Sequence, residues 1–80
     1  MQEKLGLIGW IEIYAEHGET NALLRVWQSQ MPKLEKEGFI VTTIARTSKE
    51  FKFYCKIDWS KPTVPKGEAA RMLELSQSVA

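Results

Sequence analysis

From Phe51 to Trp59 every second residue is apolar: Phe51, Phe53, Cys55, Ile57 and Trp59 alternate with Lys52, Tyr54, Lys56 and Asp58. Period two is the mark of a strand with one buried face. Upstream, Phe39–Arg46 contains the β-branched residues Ile40, Val41, Thr42, Thr43 and Ile44 and predicts a second strand. The polar Thr47–Glu50 between them has hairpin length. Near the start, Leu5–Tyr14 reads as a further strand on the β-formers Ile8, Trp10, Ile11, Ile13 and Tyr14, and Glu16–Glu19 reads as a turn.

A helical pattern follows, opening at Thr20 or Asn21, either of which can accept a hydrogen bond from the first turn. Leu23, Trp27, Met31 and Leu34 form its apolar stripe. The stripe keeps its phase across Pro32, which falls on the solvent side, so one helix bent at the proline is expected. Gly38 can close it in the left-handed conformation, with Phe39 packing back onto Leu34 in a Schellman ending. After a loop holding Pro62 and Pro65, Lys66–Val79 predicts a last helix with Ala69, Ala70, Met72, Leu73 and Val79 on its apolar side.

The element order β-α-β-β-α predicts one α+β domain over residues 1–80. The third strand, most regularly apolar, belongs in the centre. The result is a three-stranded sheet of order 1-3-2 with two helices on one face, resembling a ferredoxin-like fold that lacks its last strand. The other sheet face would then be bare. It would carry Ile8, Trp10 and Tyr14 from the first strand, Lys52, Tyr54 and Lys56 from the third, and one apolar side of the second, either Ile40 and Ile44 or Phe39 and Val41. Such a patch calls for a second layer. The leading expectation is a homodimer packed sheet on sheet; the last helix, the proline loop or a foreign partner are the other covers.

Composition narrows the classes. Eighty residues, 44% hydrophobic and 26% charged, describe a globular chain. Its single cysteine, Cys55, cannot close an internal disulfide, which suits a reducing compartment, most simply the cytoplasm. The uncharged run Leu5–Ile11 falls far short of the about 20 residues a membrane helix needs, and Lys4 beside Glu3 makes no signal-peptide n-region, so no membrane partner is expected. Net charge is +1 but uneven: residues 1–19 set one lysine against four glutamates, while residues 46–66 set six basic residues against two acidic ones.

Candidate chemistry is sparse. His17 lies in the acidic turn without ligand partners, Cys55 falls on the buried strand face, and the carboxylates make no acid–base pair. Gly6 and Gly9 make no phosphate loop and read as relief of crowding. No catalytic residue, metal ligand or cofactor is assigned, and an enzyme is not expected. Lys49-Glu50-Phe51-Lys52-Phe53 resembles the start of an RNA-recognition-motif signature. Glu50 replaces the signature's glycine, Lys52, Tyr54 and Lys56 occupy its inward positions, and a fourth strand is missing, so Phe51 and Phe53 are assigned to the core. Leu34–Ile40 with the charged hairpin after it also looks like a recognition helix and wing of a winged-helix domain, a fold with about three helices before the wing, where this pattern has one.

The function expected from sequence is a non-enzymatic interaction module. Trp10, Tyr14, Lys52, Tyr54 and Lys56 are its partner-binding residues, and the partner is a second copy or another protein. The alternative is nucleic-acid binding through the basic hairpin 46–66 and the sheet-face aromatics.

Overall fold

The computed structural model describes residues 6–78. Its elements are α1 (Leu7–Glu16), β1 (Asn21–Trp27), a 3-10 turn (Gln28–Gln30), α2 (Met31–Lys36), β2 (Ile40–Arg46), β3 (Lys52–Asp58) and α3 (Glu68–Gln77). The sheet runs β1-β3-β2, with β3 antiparallel to both neighbours. An α+β chain with a three-stranded sheet of order 1-3-2 is therefore present, but it has three helices and its first strand is a different segment.

The expected strand over 5–14 is helix α1. Leu5 lies outside the described residues; from Leu7 on, Ile11 and Ala15 are fully buried while Leu7 and Ile8 pack against the core. That is helical spacing, with one face of four residues in two turns. The crowding reading of Gly6 fails with the strand: it is the N-cap of α1 and has open space where a Cβ would stand.

The expected helix from Thr20 is strand β1. Ala22 and Val26 are buried and Leu24 half-buried, while Leu23, Arg25 and Trp27 are exposed, an alternation with period two. Pro32 bends nothing. It stands in the first turn of the separate, short α2, where its missing N–H is no loss. At the other end of α2 the Schellman closure forms: Phe39 N–H donates to the Leu34 carbonyl (3.1 Å) and Gly38 N–H to that of Glu35 (3.0 Å), with Gly38 at φ +100°.

One face of the sheet is covered. Ala22, Val26, Cys55 and Ile57 point into a core shared with Ile11 and Ala15 of α1, Leu34 of α2 and Ala69 and Met72 of α3. Phe39 and Trp59 complete it edge to face, their ring centroids 6.3 Å apart. Val79, expected on the apolar side of α3, lies outside the described residues. The N-terminus of α3 has no side-chain cap at Gly67. Glu37, the C-cap of α2, substitutes: its carbonyl accepts from Ala69 N–H (3.1 Å) and its carboxylate from Glu68 N–H (3.1 Å). Arg71 of α3 reaches Glu12 of α1 (3.0 Å) and Glu68 (2.7 Å), and those two carboxylates raise its guanidinium pKa.

Candidate functional site

The register defines the open face row by row, since residues paired across a ladder share a side. The rows are Asn21–Asp58–Ile40, Leu23–Lys56–Thr42, Arg25–Tyr54–Ala45 and Trp27–Lys52. Two rows set an aromatic ring against a cation: Arg25 opposite Tyr54, and Trp27 opposite Lys52. In the second the Lys52 ammonium lies 4.9 Å from the Trp27 ring centroid. β2 carries a register shift between Thr43 and Ala45 that leaves Ile44 without a partner and 55% exposed. Leu23, Trp27, Ile40, Ile44 and Tyr54 all stand largely free of the chain's own cover.

Three basic residues on this face, Arg25, Lys52 and Lys56, meet one acidic residue, Asp58. Partial burial alone would push the Asp58 carboxyl up. The Ser60 hydroxyl and backbone N–H, donating to Oδ1 at 2.6 and 2.7 Å, outweigh it together with Lys56 and Lys61, and hold the pKa below its ordinary value.

At the hairpin end the face meets the turn through Phe51. Its ring was expected in the core; it is instead 63% exposed, and its backbone sits at φ +61°. Among the described residues no other non-glycine has positive φ. A bulky side chain there is strained by on the order of 1–2 kcal/mol. Gln28 N–H donates to the Phe51 carbonyl at 2.6 Å and fixes the turn to the end of β1. Phe51 lines two hollows. One, of about 390 Å³, is lined by Trp27, Gln28, Ser29 and Phe51. The other, of about 440 Å³, is lined by residues that include Arg46, Lys49, Phe51 and Lys52.

The residues expected to bind a partner divide between two surfaces. Lys52, Tyr54 and Lys56 lie together on the open face. Trp10 and Tyr14 do not join them: they stand one turn apart on α1, in the helix layer, 49% and 36% exposed. Arg25 and Trp27 take their place, with Phe51 exposed in the adjoining turn. The signal that locates Arg25 and Trp27 is the Ala22, Leu24, Val26 alternation; nothing in the sequence marks the outward turn of Phe51.

His17 caps α1 at its C-terminus, exposed, with Nδ1 2.8 Å from the Ile13 carbonyl. Cys55 is buried, and burial raises its thiol pKa despite a Thr43 contact. Among the described residues no group of three or more His, Cys, Asp or Glu side chains is placed to hold a metal ion. No helix among them is long and apolar enough to cross a membrane. No family model, curated protein or solved structure matches the chain.

Proposed function

We propose that the chain is a non-enzymatic binding module whose open sheet face takes single-stranded nucleic acid. The observation that carries this reading is the pairing of ring and cation in adjacent rows, Arg25 with Tyr54 and Trp27 with Lys52. A single strand offers the complement, flat bases for the rings and phosphates for the cations, and every base has a face to stack. The excess of basic over acidic groups on the face supports a polyanion. The same excess opposes an isologous dimer, because each copy would bring Arg25, Lys52 and Lys56 against its twin. What favours a second copy is the aliphatic part of the face, Leu23, Ile40 and Ile44, which no base requires. A cytoplasmic location accords with the unpaired Cys55.

The test is fluorescence anisotropy with a labelled single strand of about 10 nucleotides, within the span small binding domains cover. Three phosphate contacts predict a slope of log affinity on log salt near −2, so binding weakens roughly 20-fold between 50 and 200 mM salt. Replacing Arg25, Lys52 and Lys56 together by Gln makes that dependence much shallower, and Tyr54→Ala weakens binding at every salt concentration. Absence of binding at low salt, or affinity indifferent to salt, overturns the proposal.

A further inference from the structure

We propose that the hairpin end of the open face is a slot for one nucleobase, walled by Trp27 and Phe51, and that the basic hollow behind Phe51 receives the phosphate of that nucleotide. The inference rests on the nucleic-acid reading above and assigns it a subsite.

Three observations meet at this place. Phe51 adopts a left-handed backbone that a bulky residue avoids, and among the described residues it is the most exposed of the large apolar ones. Core packing does not explain that strain, because the ring packs little; a role in presenting the ring outward does. One hollow is lined by the two aromatic residues Trp27 and Phe51 together with Gln28 and Ser29. The amide and hydroxyl of those last two carry donors and acceptors for the edge of a planar heterocycle. Phe51 also lines the second hollow, which Arg46, Lys49 and Lys52 border with Glu50 as its one acidic residue. A hollow lined by two aromatic residues and a cationic one that share Phe51 match the two halves of a nucleotide, an apolar plane joined to an anion.

The experiment uses Trp10→Phe as the background, which leaves Trp27 exposed and Trp59 buried. Titration with single-stranded oligo-dA quenches the Trp27 emission. In that background Phe51→Gly removes both the ring and the strain, since glycine takes positive φ freely. Its Tm stays level or rises while affinity falls about 5- to 100-fold, the worth of one stacked base. Phe51→Asn, also tolerant of this backbone, behaves alike. Replacing Arg46 and Lys49 by Gln makes the salt slope shallower by about 0.7, the share of one phosphate. Phe51→Gly binding as tightly as its parent overturns the slot while leaving the sheet-face reading intact. A lowered Tm in both Phe51 variants overturns it too, because the ring would then be a packing element. If the parent fails to bind oligo-dA at low salt, the slot and the broader reading fall together.

Discussion

Trp59 is the largest fully buried side chain, and it brings an indole N–H into the core that must find a partner. Ser76 provides it. Trp59 Nε1–H donates to the Ser76 hydroxyl at 2.9 Å, and that hydroxyl in turn donates to the Glu19 carbonyl, with the Met72 carbonyl 3.0 Å away. One small hydroxyl thus ties the end of β3 and the start of β1 to α3. Ser76→Ala strands a buried donor and acceptor, and the expected cost is about 1–3 kcal/mol, read as a Tm drop of about 4–8 °C per kcal/mol in a chain of this size. The double variant Ser76→Ala, Trp59→Phe loses less than the sum of its singles, because the orphaned indole donor is gone with its partner. Additive losses in thermal melts would show that the bond contributes nothing.

Asp58 gives a residue-scale pH dependence. Its pKa is lower folded than unfolded, so the contact with Ser60 and the nearby lysines stabilises the fold above the ordinary carboxylate value of 3.8. That contribution fades as pH falls through the depressed folded value. Asp58→Asn keeps an acceptor oxygen but drops the charge. Its Tm should lie below that of the parent near pH 6, and the gap should close as both are taken to strongly acid solution. A gap of constant width would assign the effect to geometry instead of charge.

Among the elements, β2, β3, the Schellman ending of α2 and most of α3 are legible in the sequence, while α1 and β1 are exchanged in type. The exchange has a definite origin. A separation of four residues keeps two side chains on one face of a helix and also on one face of a strand. Trp10 with Tyr14 and Leu23 with Trp27 are both such pairs, so neither distinguishes the two periods. The spacings that do are Ala22, Leu24 and Val26, two apart, which a helix would scatter, and Leu7, Ile8 and Ile11, which a strand would split. β-propensity misleads at Ile8, Ile11 and Ile13 because packing on α3 and β1 outweighs it. The exchange also divides the candidate residues: Lys52, Tyr54 and Lys56 lie in the open-face rows, while Trp10 and Tyr14 lie on α1.

The close approach of α3 to the end of α2 yields the element-scale prediction. A Cβ on Gly67 would stand 2.1 Å from the Glu37 carbonyl oxygen, which already accepts from Ala69 N–H, and 2.7 Å from its carbon. Gly67→Ala must therefore part the two helices, at a cost of about 1–3 kcal/mol or more. Gly6→Ala, the same change at the N-cap of α1, meets open space and should cost less than about 1 kcal/mol. Equal destabilisation of the two variants in urea titrations would refute this account of how α3 is capped.

The described residues measure 39 × 33 × 19 Å, the thin axis leaving room for one helix layer on one sheet. Whether a second copy completes a third layer is a question of charge. The centre of the open face holds Arg25 and Lys56 beside Tyr54, a poor start for like meeting like. We therefore expect sedimentation equilibrium at micromolar concentration to return the chain mass of 9.2 kDa, against the pairing anticipated from the apolar pattern. Leu23→Thr with Ile40→Thr should leave both mass and Tm nearly unchanged, because exposed side chains far from the core contribute little to folding. A mass of twice the chain, reduced to a single chain by those two substitutions, would assign the face to self-association and withdraw it from nucleic acid.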